Sequence, residues 1–548
     1  MKKALSLFLS ALLLTGCGKQ TVAEVTSPET SPAPAITVPA ETETAYVSQF
    51  IKETVISLSD EGITVTGNQE SVITSNDIVY YEDRDLYDSG NPYGEGTDAD
   101  KHTAEEAAAH TVVTIQRPGA YRVSGKLSAG QIRIDLGDDA YYDPDAVVEL
   151  ILDNADITCS VAPAILFQNV YECDGEWSAD TAKADVDTSA AGAHLILEGN
   201  NTVHGSYVAK IFKDNENQKK LVKQDGAIYS YMSLNVWGPG SLELTAENEG
   251  LDTELHLTIH GGDIRILSDN DGINTNEDGV SVTTINGGNL TIYAGLGEEG
   301  DGIDSNGYLV INGGHVYASA KPVSDAGLDS DLGSYIHGGT VIATGSAMDW
   351  AESASGQVTM NLQFAQQQPA GSRITVKDET GAEIFSFEDD SEYARGFRGL
   401  ILSHSTFAVG DTYSIYADDS QLQYTGNSVG GFPGGFGGRG PRPEGMEFPE
   451  GERPQMPEGM EPPQGGFPNG EMPEGMEPPQ GMEFPGEPPE GFDPSQFGGR
   501  GQRPEGEVPE GLDSGRFDGQ RPENSAAEGS TEFYIEDTVN AFSGIVKV

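Results

Sequence analysis

Ile259-His-Gly-Gly-Asp-Ile264, Ile285-Asn-Gly-Gly-Asn-Leu290, Ile311-Asn-Gly-Gly-His-Val316 and Ile336-His-Gly-Gly-Thr-Val341 are four copies of one phrase. Their first glycines, Gly261, Gly287, Gly313 and Gly338, recur every 25 or 26 residues. Apolar residues alternate around each copy, as in Ile264 and Ile266 or Leu290 and Ile292. Alternation with period two describes strands with one face in and one face out. Propeller blades need about 40 to 50 residues and leucine-rich repeats need a different leucine spacing. Short strands bent at glycine pairs predict the coils of a right-handed parallel β-helix, in which equivalent residues stack about 4.8 Å apart. One buried column would be Ile259, Ile285, Ile311 and Ile336, and another Ile264, Leu290, Val316 and Val341. Weaker copies upstream are Val148-Glu-Leu-Ile-Leu-Asp153, His194-Leu-Ile-Leu-Glu-Gly199 and Leu234-Asn-Val-Trp-Gly-Pro-Gly240. Together they predict about eight to ten coils.

A second repeat runs beside the first. It reads Glu249-Gly-Leu-Asp-Thr, Asp271-Gly-Ile-Asn-Thr, Asp301-Gly-Ile-Asp-Ser and Ala326-Gly-Leu-Asp-Ser, with Asp225-Gly-Ala-Ile as an earlier, incomplete copy. Stacking puts Glu249, Asp271 and Asp301 in one column, and Asp252, Asn274, Asp304 and Asp329 in a second. Carboxylates that close repel one another. A Ca²⁺ ion between coils would offset the repulsion, since it takes six to eight oxygen ligands. An all-oxygen set favours calcium over zinc or copper. Asp271, Asn274, Asp301 and Asp304 are the first candidate ligands, then Asp252, Asp329 and Glu249. Asp, Asn and Gly also form turns whatever they bind, and that reading stands beside the metal one.

Other residues carry weaker signals. Arg265, Thr291, Tyr317 and Ile342 form an outward column. From it Arg265 and Tyr317, with Tyr293 and Trp237, are candidate sugar contacts; Tyr229, Tyr231 and Tyr308 could also stack on pyranose rings. His256, His260, His315 and His337 read as exposed strand or turn residues. There is no zinc or phosphate-loop motif. Cys159 and Cys173 could pair or remain buried thiols.

Outside the repeat the chain changes character. Lys2, Lys3 and the apolar run Ala4 to Leu14 resemble an export signal, and Leu14-Thr15-Gly16-Cys17 resembles a lipobox, which makes Cys17 the lipidated residue. Two acyl chains there suffice for stable anchoring at the extracellular face of the cell membrane. The organisation expected is a signal over 1–17, a flexible tether over 18–50, the β-helix over 51–350 and a small antiparallel β unit over 351–425. A disordered Pro/Gly/Glu-rich insertion follows over 426–528, where Met456-Pro-Glu-Gly-Met-Glu-Pro-Pro recurs from Met472. Terminal strands over 529–548 return to the small unit. Across the 548 residues, 88 acidic side chains against 30 basic ones give a formal charge of −58. Such a body repels nucleic acid phosphates and attracts cations.

Gly119-Ala-Tyr-Arg-Val-Ser-Gly-Lys-Leu-Ser-Ala-Gly-Gln-Ile132, Val148-Glu-Leu-Ile-Leu-Asp-Asn-Ala-Asp-Ile157 and Asp225-Gly-Ala-Ile-Tyr-Ser230 resemble the carbohydrate-binding domain family of clostridial and related surface proteins. The resemblance runs from about Ile73 to Gly345. That family is a calcium-binding parallel β-helix similar to family 9 pectate lyases. It implies plant cell-wall polysaccharide or acidic glycan as partner and Ca²⁺ as cofactor. Lyase chemistry would need a base near the calcium, with Lys321 the nearest candidate by sequence. Asn270-Asp271-Gly272-Ile273-Asn274 only approximates a lyase signature, so non-catalytic binding is the favoured expectation. Pectate-type lyase and structural surface adhesin are the alternatives.

Overall fold

The computed structural model describes residues 46–81, 97, 99–175, 177–179, 181–212, 221–322, 324–346, 350–429 and 529–548. The signal with Cys17, the tether before Tyr46 and residues 430–528 of the insertion lie outside them. The chain divides into two compact units, Met1–Gly438 with Ala526–Val548, and Arg439–Ser525. The second is wholly among the residues not described.

The protein is all-β. Its sheets are mixed and none closes into a barrel. Among the described residues the α-helix is the single turn Ala104–Ala108, started by a capping box between Thr103 and Glu106.

Each coil of the repeat contributes three short strands. In one coil these are Glu249–Thr253, Leu257–Ile259 and Asp263–Ser268. Each pairs in parallel with its counterpart in the next coil, so three ladders run along the stack. The predicted apolar columns are in register. Ile259 pairs with Ile285, Ile285 with Ile311 and Ile311 with Ile336. Ile264, Leu290, Val316 and Val341 stack likewise. All eight side chains are buried in one continuous core.

The glycine pairs turn the chain between ladders. At Gly288 the backbone is left-handed, with φ at 91°, and a Cβ there would lie 2.9 Å from the Gly262 carbonyl oxygen. A side chain would therefore strain both the dihedral and the stacking.

Strands are added at both ends of the stack, although the ladder that ends at Leu328–Ser330 has none beyond it. Glu53–Leu58 adds in parallel to Gly119–Leu127, and Val72–Ser75 adds antiparallel to Thr111–Ile115. At the other end Phe397–Ser403 runs antiparallel to the last coil strand, Thr340–Gly345. Covered edges offer no template to another chain. Phe397–Ser403 also pairs with Thr359–Gln368, which pairs with the terminal strand Val539–Lys547. That last pairing is parallel, so the small unit is mixed where the sequence suggested an antiparallel one. Gly426–Val429 pairs with the terminal strand, which carries the folded unit past the expected boundary at 425. Tyr46 and Phe50, expected in the tether, pack against Ala120, Ile151 and Ile196.

Ile311→Ala should lower unfolding stability by about 2–5 kcal/mol, because the cavity opens in a column that cannot collapse without shifting both neighbouring coils. Denaturant unfolding of the variant checks this.

Candidate functional site

The third ladder carries the acidic residues. Its parallel strands include Gly226–Ser230, Glu249–Thr253, Ile273–Thr275, Ile303–Ser305 and Leu328–Ser330. Ile228, Leu251, Ile273, Ile303 and Leu328 point inward and are fully buried. The next residue in each strand points the other way. Register then stacks Tyr229, Asp252, Asn274, Asp304 and Asp329. The predicted second column is therefore present, with a tyrosine where the earlier copy lacks its aspartate.

The first column stacks through backbone bonds. Gly250 donates to the Asp271 carbonyl at 2.9 Å and Gly272 to the Asp301 carbonyl at 3.0 Å. The glycine after each acid sits where the chain bends into the core. A Cβ on Gly272 would lie 2.2 Å from Ile292 Cγ2. Glycine in the Asp-Gly pairs thus has a packing reason of its own.

The acids divide into two groups. Downstream, Asp271 Oδ1 accepts the Asp301 amide at 2.7 Å, and Asp301 Oδ1 accepts the Ala326 amide. Asp329 Oδ1 accepts the Ser330 amide at 2.9 Å. Upstream, one carboxylate oxygen each from Asp225, Glu249 and Asp252 lie within 4.8 Å of one another. Asn274 Nδ2 donates to Glu249 Oε2 at 3.1 Å, and Asn276 Nδ2 to Asp252 Oδ1 at 2.6 Å. Asp252 Oδ2 and Asn274 Oδ1 are buried and have no hydrogen-bond donor. Unsatisfied buried oxygens are costly unless something positive lies between them.

Charge in this site is strained. Burial, then the Asp252 and Asp225 carboxylates, raises the Glu249 carboxyl well above the usual range. Burial and Asp225 do the same to Asp252. Burial, Glu249, Asp304 and Asp301 raise Asp271. Asp301 is pushed up to about 8, chiefly by burial, against the lowering effect of the Ala326 amide.

Lys223 faces them. The hairpin of Val208–Phe212 and Leu221–Gln224 delivers Lys223. Its Nζ lies 2.6 Å from Asp225 Oδ2 and 3.3 Å from Asn276 Oδ1. Burial would lower the Lys223 pKa, but Asp225, Glu249 and Asp252 hold it above the ordinary lysine value. Lys321, the base suggested by the sequence, instead donates to the Gly297 carbonyl at 2.9 Å and to the Glu298 carbonyl. The lysine beside the acid cluster is Lys223. The incomplete motif at Asp225 was its one signal in the sequence.

An all-oxygen ligand set with two unsatisfied buried oxygens fits a hard cation such as Ca²⁺. Asp225, Glu249, Asp252 and Asn274 would hold it. Asp271, Asp301, Asp304 and Asp329 continue the acidic ladder beyond that cluster.

The suggested sugar contacts fare differently. Tyr293 and Tyr317 are buried. Their hydroxyls donate to Asp389 at 3.1 and 2.8 Å, and their rings pack on Tyr393 and Phe387. Arg265 pairs with Glu243 and lies over the Tyr293 and Tyr393 rings at 5.5 and 5.0 Å. The small unit thus covers this column, and none of the three presents a free face to a glycan. Trp237 is half-buried, with one face stacked on His260 at 3.5 Å. His256, expected at the surface, is buried: Nδ1 accepts the Val282 amide at 3.1 Å and Nε2 lies 3.3 Å from Asp174. Cys159 and Cys173 are both free thiols.

A family model described as "Carbohydrate-binding domain-containing protein" matches residues 109–389, just over half of the chain. Among solved structures, the polysaccharide lyase-like protein from C. thermocellum, in a gadolinium derivative, is similar at 20% identity and a TM-score of 0.31. That similarity covers 53% of this chain and 93% of that one. No curated protein matches the sequence.

The raised carboxyls fix a pH dependence. Between the ordinary aspartate pKa of about 3.9 and its folded value of about 8, Asp301 holds a proton that the unfolded chain releases. Stability from this group therefore falls as pH rises through that window. In chelator, the melting temperature should drop between pH 6 and pH 8.5. Asp301→Asn should flatten the drop in thermal melts recorded across the same range.

Proposed function

The chain belongs to the carbohydrate-binding domain-containing protein family, and we propose that it is a lipid-anchored, non-catalytic surface protein that binds polysaccharide with the help of calcium. The scaffold in this reading is a right-handed parallel β-helix, which the three parallel ladders and their in-register columns support. The observation that carries the metal is the upstream cluster: three carboxylates converge, and two of the neighbouring buried oxygens lack donors. A bound divalent ion supplies a positive centre on an acidic surface, to which a uronate carboxylate can attach. Asp225, Glu249, Asp252 and Asn274 would hold that ion. With a net charge of −58, the body would otherwise repel an acidic glycan. The resemblance of Leu14-Thr15-Gly16-Cys17 to a lipobox supports a lipid on Cys17, which would hold the binding face outside the membrane, within reach of cell-wall or plant polysaccharide.

A pectate-type lyase is the second reading, and Lys223 favours it, because it stands at the acid cluster where a proton-abstracting base would be needed. Its raised pKa opposes that role, since a base must be free of its proton at working pH.

Calorimetric titration should show Ca²⁺ binding that Asp252→Asn and Asp225→Asn each weaken by about tenfold or more, as loss of a charged ligand does. No heat and no thermal shift in the unmodified protein would remove the metal from the proposal. On a glycan array, retention of acidic polysaccharide should vanish with chelator. An absorbance assay for unsaturated uronate should stay flat, and product there would make the protein a lyase.

A further inference from the structure

Lys223 is not part of the repeat. It comes from the hairpin inserted between the strands Asn200–Gly205 and Gly226–Ser230, and it reaches the cluster from outside the ladder. Its ammonium contacts Asp225 Oδ2 at 2.6 Å and Asn276 Oδ1 at 3.3 Å. Asn276 in turn donates to Asp252 at 2.6 Å, so the lysine sits at the rim of the same set of oxygens. Lys223 is thus a cation placed directly against the three carboxylates. Asp252 and Asn274, both more than nine-tenths buried, still keep an oxygen each without a donor. The lysine therefore neutralises the cluster in part and from one side.

Resting on the calcium reading above, we infer that Lys223 is the protein's built-in competitor for the cation, the residue that sets how tightly a divalent ion binds at Asp225, Glu249 and Asp252. A divalent ion close to these oxygens is close to Nζ as well. Like charges at such separations repel strongly in a partly buried site. The ammonium must swing away from Asp225 or remain and weaken the ion's hold. Either course lowers affinity relative to a neutral side chain. The flexible four-carbon stem of lysine suits this role, because it can withdraw without moving the ladder. The device keeps the acidic site tolerable when no metal is present and makes it a site of modest affinity, filled only where calcium is plentiful.

The test is calcium titration of the full chain by calorimetry, with Lys223→Met, Lys223→Gln and Lys223→Arg alongside it. The neutral variants should bind Ca²⁺ about tenfold more tightly or better, while Lys223→Arg stays close to the unmodified protein. In chelator the neutral variants should melt below the unmodified protein, and added Ca²⁺ should more than restore the difference. Binding by the neutral variants alone would overturn the inference as stated, because the unmodified site would then never be filled. If the unmodified chain binds Ca²⁺ and the folded neutral variants bind it no more tightly, the inference is overturned and the calcium reading stands. If no form binds, both fall.

Discussion

Register between coils is the constraint on which the rest of the molecule depends. Parallel strands that alternate in and out allow no slip, because a shift of one residue would turn every buried isoleucine of the Ile259 column outward. The core therefore fixes the vertical alignment of everything attached to it. The acidic ladder inherits that alignment. Asp252, Asn274, Asp304 and Asp329 lie over one another because Leu251, Ile273, Ile303 and Leu328, one residue before them, must. Hydrophobic burial along three ladders holds like charges at strand spacing, and the chain has to manage the repulsion locally.

It manages it in two ways. Downstream, Asp271 and Asp301 each accept a backbone amide of the following coil, from Asp301 and Ala326, and Asp329 accepts that of its neighbour Ser330. These acids act as turn caps, which is the ordinary use of aspartate beside glycine. Upstream, Asp252 and Asn274 beside the cluster of Asp225, Glu249 and Asp252 each keep an oxygen without a donor, and a lysine from an inserted segment pairs with Asp225. One motif thus serves structure at one end of the ladder and presents unsatisfied oxygens at the other. The repeat by itself does not separate these uses, since both are written Asp-Gly.

That difference explains how much was legible in the sequence. Columns follow from spacing alone, so the Ile259 and Ile264 stacks and the Asp252 stack could be placed by counting residues. Contacts between distant segments have no such signature. Tyr293 and Tyr317 look outward from the repeat, yet Asp389, 96 and 72 residues further on, receives both hydroxyls. The small unit that buries them folds partly from the terminal strand, which no local pattern links to the coils. His256 reads as exposed for a similar reason, because the excursion that brings Asp174 over it carries no repeat. Lys223 has no signature of its own because it precedes the least complete copy of the acidic motif.

The covering of the Tyr293 face also narrows where a glycan can act. With the Arg265 column under the small unit and strands added to Gly119–Leu127 at one end and Thr340–Gly345 at the other, much of the stack's other surface is already used for folding. The acidic ladder is different. Its charges contribute nothing to the core, and buried carboxylates without partners lower stability wherever a neutral residue would do. A fold that keeps Asp252 fully buried beside Glu249, with one oxygen lacking a donor, carries a penalty that packing does not require. A cation shared between coils would remove that penalty and at the same time tie Gly226–Ser230, Glu249–Thr253 and Ile273–Thr275 together. Stability and recognition would then rest on the same few oxygens, which accounts for acids in the one place where the register forces them together.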